Sequence, residues 1–147
     1  MLESKMPKLE SLIEKLDVDS AEKFMEGKPV EELRNMLLEY AFDTKDIRVY
    51  TLMVELLSRS KKWQWHYLAS LILCQPLCSL KGAYFAAYHH ALEASRLSPS
   101  DASLKEYLLF FNGVPDKPMD DAMAKSVAED LVRLGSSNEL AKRIASG

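Results

Sequence analysis

From Trp63 to Gln75 the apolar side chains Trp63, Trp65, Tyr67, Leu68, Leu71, Ile72, Leu73 and Cys74 fall almost all the way round a helical wheel. A helix that is apolar on every side has to be covered on every side. The segment therefore predicts a central helix with other elements packed around it. Pro76 ends it, because a proline inside a helix removes a backbone hydrogen bond and clashes with the preceding turn. The chain has only 5 glycines and 6 prolines, and most of them separate runs of helical period, so the surrounding elements read as helices too.

The spacing predicts a first helix that starts after Met6, with Pro7 in its first turn and Leu9, Leu12, Ile13 and Leu16 on one stripe. Asp19 or Ser20 caps a short second helix ending at Gly27, and Pro29 opens a third with Leu33, Met36, Leu37 and Tyr40 on one face. A fourth, capped by Asp43 or Thr44 and running to about Ser58, turns Val49, Leu52, Met53, Leu56 and Leu57 inward. Beyond the central helix, a sixth from about Ser79 to Leu97 carries the small residues Ala83, Ala87, Ala91 and Ala94, flanked by Tyr84, Tyr88 and Leu92. Ser98-Pro99-Ser100-Asp101 closes it and caps a seventh with Leu104, Tyr107, Leu108 and Phe111, which Asn112-Gly113 ends. After Pro115 and Pro118 an eighth has Met123, Val127, Leu131 and Leu134 on one side, and Ser136-Ser137-Asn138 precedes a short last helix with Leu140, Ala141 and Ile144. Short turns favour antiparallel neighbours. The expected fold is all-α, stacked antiparallel helix pairs in a single domain over residues 1–147, with about eight or nine helices.

A domain of 147 residues buries roughly two thirds of its unfolded surface, so neither a disulfide nor a metal is needed for stability. Its two cysteines, Cys74 and Cys78, are spaced too widely for the redox Cys-x-x-Cys motif and read as core residues. With 19 basic and 22 acidic residues the net charge is -3, which offers no general attraction to a polyanion. The start, Met1 to Pro7, carries charges where a signal peptide has its apolar run, and no segment reaches the about 18 apolar residues of a membrane span. A cytoplasmic chain with no membrane association is expected.

The stretch Ala87-x6-Ala94-x4-Pro99, followed by Asp101-Ala102, resembles the second helix of a tetratricopeptide repeat and the turn into the next one. In that family the small residues allow tight packing and the proline closes the turn. The resemblance, drawn over residues 68–111, implies those roles for Ala87, Ala94 and Pro99. Counting back, the positions of the family's first-helix small residue and tyrosine hold Gln75 and Cys78. Hairpin starts near residues 29, 61 and 100 recur at roughly thirty to forty, a helical-repeat spacing. The resemblance implies a tetratricopeptide-like or HEAT-like superhelix that binds protein, and it carries over no catalytic residue. A small acidic helical protein of this form also resembles some bacterial immunity proteins, which neutralise a toxin by occluding its active site.

Three groups of residues invite a chemical reading. His89, Glu93 and Arg96 lie together on the polar side of the sixth helix and His90 borders its alanine stripe, so a metal-dependent enzyme using His89, His90 and Glu93 is one alternative. His66 sits beside Ser70 on the least apolar strip of the central helix, where a hydrogen-bonded buried histidine is the favoured reading. Lys61-Lys62-Trp63-Gln64-Trp65 interleaves cations and aromatics as a nucleic-acid platform does, but the acidic balance disfavours nucleic acid as a partner. No Gly-rich phosphate loop, nucleophile elbow or His-Glu-x-x-His segment is present. The expectation is a non-enzymatic adaptor or inhibitor with no metal or cofactor, binding a protein partner through Phe85, His89, Glu93 and Arg96. A second expected surface is the acidic run Glu31, Glu32 and Glu39, which fits a basic toxin or effector.

Overall fold

The computed structural model describes residues 2–147, with side chains from Lys5 onward. Among these the helices are α1 (Leu2–Lys15), α2 (Val18–Met25), α3 (Val30–Thr44), α4 (Arg48–Arg59), α5 (Trp63–Cys74), α6 (Ala83–Leu97), α7 (Ala102–Leu109), α8 (Asp121–Arg133) and α9 (Glu139–Ser146), with a 3-10 turn at Phe110–Asn112. The described chain is all-α, and helices adjacent in sequence pack together: α4 on α5, α5 on α6, α7 on α8 and α8 on α9. No helix among the described residues is long and apolar enough to cross a membrane.

α5 is the element around which the others assemble. Its Trp65, Leu68, Ala69 and Ile72 belong to an apolar cluster with α1 to α4, and its Leu73 and Cys74 belong to a second cluster with α6 to α9. This explains why its wheel is apolar all round, since each flank faces a different core. Burying a Leu or Ile side chain stabilises by about 1.5–3 kcal/mol, so both cores draw their energy partly from this one helix.

Four helices start on a side-chain cap. Asp17, Asp101, Asp120 and Asn138 accept hydrogen bonds from first-turn amides of α2, α7, α8 and α9. Asp101 accepts from the backbone N–H of both Ser103 and Leu104. Asp101→Ala is accordingly expected to lower stability by about 1 kcal/mol, read as a shift of the urea midpoint at unchanged helix content.

Several boundaries and faces differ from the periodicity. α1 begins at Leu2, not after Met6, so Pro7 lies inside the helix instead of in its first turn. α2 is capped by Asp17, and Ser20 is the residue whose amide is capped. Neither Asp43 nor Thr44 starts α4. Both remain in α3, which ends where Lys45 turns left-handed (φ 53°), and Asp46 then takes the Arg48 amide at 2.9 Å. α6 starts at Ala83, not near Ser79, because Gly82 turns the chain at φ 81° just before it. Gln75 and Cys78 lie in the turn that precedes it. Met123 in α8 and Leu134 just after its end are exposed, while Ala124, Val127, Ala128 and Leu131 are buried. The buried side is rotated toward the alanines because they let α7 and α9 approach more closely than a Met–Leu stripe does. Leu140 on α9 is likewise exposed, and Ala141 next to it is buried.

Candidate functional site: a polar cleft between α4, α5 and α6

The site begins with the contact between α5 and α6. Ala83, Ala87, Ala91 and Ala94 are buried against the interior, and small side chains let two backbones approach. Ser70, fully buried on α5, donates its hydroxyl to the Ala87 carbonyl of α6 at 2.7 Å. At about 100° per residue, seating that stripe inward sends His90 inward beside it and leaves Phe85, His89, Glu93 and Arg96 on the outer side.

His90, 8% exposed, is the meeting point of three helices. Its Nε2 lies 2.9 Å from the Tyr50 hydroxyl of α4, and its Nδ1 lies 3.0 Å from Nδ1 of His66 on α5. Between the two Nδ1 atoms one ring donates and the other accepts, and the bond between Tyr50 and His90 Nε2 runs in the direction which that choice leaves. Burial pushes the His90 pKa down to about 4, with His66 and His89 adding repulsion, and burial lowers that of His66 as well. Both rings are therefore neutral at pH 7.

Outside this relay a cleft of about 200 Å³ is lined by Leu57, Lys61, His66, His89, Glu93 and Arg96. Arg96 Nε donates to the Glu93 carboxylate at 2.6 Å, and this bond holds the Glu93 carboxyl below its ordinary pKa. The cleft thus offers one neutral imidazole, one exposed imidazole, an ion pair and the Lys61 ammonium to whatever occupies it.

A second polar chain lies under the α5–α6 contact. Because Ser70 gives its proton to Ala87, Tyr107 must donate to Ser70 Oγ (2.7 Å), and the Cys74 thiol has two acceptors in reach, the Tyr107 hydroxyl at 3.2 Å and the Leu71 carbonyl at 3.9 Å. Burial pushes the Cys74 thiol up to about 11. A protonated, enclosed thiol is a poor nucleophile, so Cys74 acts here as a packed hydrogen-bond donor.

Of the residues singled out from sequence, His89, Glu93 and Arg96 come together at the cleft, and Phe85 stands on the same side of α6, 54% exposed. His66 is half-buried and hydrogen-bonded. His90 does not join His89 and Glu93 as a ligand set, since both its ring nitrogens are engaged by Tyr50 and His66. Among the described residues no group of three His, Cys, Asp or Glu side chains is placed to hold a metal ion. Glu31 and Glu39 are exposed on α3, whereas Glu32 is paired with Lys5 at 2.7 Å. Trp65 is buried and Trp63 half-buried, so the Lys61 to Trp65 run does not present two open stacking faces. Tyr50 was not legible as a site residue. Its one signal is a wheel position next to Leu57, at the border of the apolar face of α4. Compared with protein-family models, curated proteins and solved structures, the chain matches none of them.

Proposed function

We propose that this chain is a non-enzymatic protein-binding module, an adaptor or inhibitor that presents the outer side of α6 and the adjoining cleft to a protein partner. The observation that carries this reading is Phe85, a large aromatic left 54% exposed on the side that also holds His89 and the Glu93–Arg96 pair. An aromatic anchor beside an arginine is the composition from which interface hot spots are made. The opposite side of α6 is locked to α5 through the alanines and Ser70, so the surface is pre-organised and little ordering entropy is lost on binding. Exposed acids on α3, Glu31 and Glu39 with the Lys5-paired Glu32, form a second surface suited to a basic toxin or effector. That second surface is the feature that fits a toxin-neutralising role, and the tetratricopeptide-like stretch ending at Pro99 fits an adaptor.

The test is capture of a partner by the purified chain, compared across variants. Phe85→Ala with Arg96→Ala is expected to weaken capture at least tenfold, about 1.4 kcal/mol or more. Charge reversal at Glu31, Glu32 and Glu39 is expected to slow association and to remove its salt dependence. If both sets leave capture unchanged while circular dichroism shows intact helices, neither surface binds the partner.

A further inference from the structure

The chain's 3 histidines lie together, with the ring centroids of His66 and His90 5.3 Å apart and those of His89 and His90 5.7 Å apart. The contact of 3.0 Å between Nδ1 of His66 and Nδ1 of His90 limits how many protons the pair can hold. A hydrogen bond there needs one protonated and one bare nitrogen, and two neutral rings supply it in two ways. If His90 donates, His66 carries its own proton on Nε2; if His66 donates, its Nε2 is bare. One added proton fits with both contacts kept. The bridge between the Nδ1 atoms stays, and both Nε2 atoms become donors, that of His90 to the Tyr50 hydroxyl at 2.9 Å. A second added proton sets two N–H groups face to face and breaks the bridge. The pair is a store for one proton.

His66 Nε2 is where that store meets solvent. It has no protein partner among the described residues, and the one unpartnered side-chain nitrogen or oxygen closed off in their interior is the Trp65 indole, so His66 Nε2 is open. The charged and titratable groups acting on His66 are Glu93, His89 and Arg96 of α6 and Lys61 from the turn before α5, which are the other polar residues lining the cleft. Those acting on His90 are His66, His89 and Glu93, and α4 adds the Tyr50 hydroxyl. Lys61 is exposed and screened by solvent, and Arg96 is already bonded to Glu93. A ligand in the cleft therefore meets its strongest charge at His66, half-buried, when the pair takes up its proton.

We propose that the cleft is a proton-dependent socket for one carboxylate side chain of the protein partner, an Asp or Glu that accepts from His66 Nε2–H when the His66–His90 pair holds its added proton. The volume of about 200 Å³ suits one inserted side chain and lies below the roughly 300–1,000 Å³ of small-molecule pockets. In the neutral pair His66 Nε2 is donor or acceptor according to tautomer. The added proton removes that choice and brings a positive charge, which selects an anionic acceptor. Burial holds His66 below its ordinary pKa, so the free pair is uncharged at pH 7. The carboxylate binds the charged form, and its affinity rises as pH falls from 7 toward 5. This rests on the reading of the outer side of α6 as a protein-binding surface and names what the partner brings to it.

The imidazole signals of the intact protein are followed by NMR from pH 8 to pH 5, each assigned by its His→Gln variant. The His66 and His90 signals should move together through a common step. The titration is repeated with the methylamides of acetyl-glutamate and acetyl-glutamine at matched ionic strength. The glutamate compound should raise the midpoint of that step by about 0.5 pH unit or more, about a threefold preference for the protonated pair, and the glutamine compound should leave it in place. Lys61→Ala should keep the rise. The proposal is overturned if His66 takes up its proton while the His90 signal stays still, if the two compounds act alike, or if Lys61→Ala abolishes the rise. No partner is used, so the outcome is independent of the capture test: capture without the rise rejects the socket alone, and the rise without capture rejects the protein-binding reading.

Discussion

Phe111→Ala is expected to lower the unfolding free energy by about 3–5 kcal/mol, the largest loss among the substitutions considered. The ring is 0% exposed and sits within the cluster shared by α6 to α9. Its centroid lies 5.6 Å from that of Tyr88 and 5.4 Å from that of Tyr107. Removing it takes away apolar burial and aromatic contacts and leaves a void that α6, α7 and α8 cannot close, because their own packing is held by alanines and the Ser70–Tyr107 bond. Its neighbour Phe110 is 44% exposed, and Phe110→Ala should cost about 1 kcal/mol or less. Urea denaturation of the two variants separates them. Equal losses would mean that the turn at Phe110–Asn112 does not send one ring inward and the other outward.

The second large effect is a loss of stability on mild acidification, centred on His90. Its pKa is about 4 in the folded chain against 6.5 for a free imidazole. The unfolded state therefore binds more protons between those values, and stability falls as pH drops from about 6.5 toward 4. His66 is lowered in the same sense and adds to the fall. An overall loss of about 2 kcal/mol is expected across this window. Asp46 contributes only at more acid pH: the Arg48 hydrogen bond lowers its carboxyl from 3.8 to about 2, and that stabilisation disappears below the histidine window. Denaturation midpoints measured from pH 7 to pH 4 check this, with His90→Gln as the comparison. The variant is less stable at pH 7, having lost its bonds to Tyr50 and His66, but its stability should change much less with pH. A parent protein whose stability is flat from pH 7 to pH 4 would show that His90 takes up its proton without cost.

Local arrangements along the chain were readable to different depths. Period and punctuation located nearly every helix, including the stop at Pro76, the cap at Asp101 and the polar run Ser136-Ser137-Asn138 ahead of the last helix. The boundary between α3 and α4 was misplaced because Asp43 and Thr44 have good capping chemistry. The left-handed turn at Lys45 and the bonds of Asp46 outcompete it. In α8 the apolar moment pointed to Met123 and Leu134, whereas close approach by α7 and α9 favoured Ala124 and Ala128. Hydrophobicity and packing distance are different quantities, and a wheel records only the first.

For the site the division is sharper. The outward placement of Phe85, His89, Glu93 and Arg96 follows from the helical period once the alanine stripe faces inward, and both are written in one continuous stretch. The links of His90 to His66, 24 positions away, and to Tyr50, 40 positions away, are not, because helix period says which side of a helix is buried but not which helix covers it. The orphaned indole of Trp65 is hidden for the same reason: whether a buried donor finds an acceptor depends on every neighbour at once.

By itself, then, the sequence determined the all-α class, the helix boundaries to within a few residues, and the central place of the segment that became α5. These follow from backbone hydrogen bonding and apolar period, which act over a few residues. Only the tertiary structure decided that α5 divides its faces between two cores and that three helices meet at His90. Those depend on distances between segments far apart in the chain, set by how closely particular side chains let the helices approach.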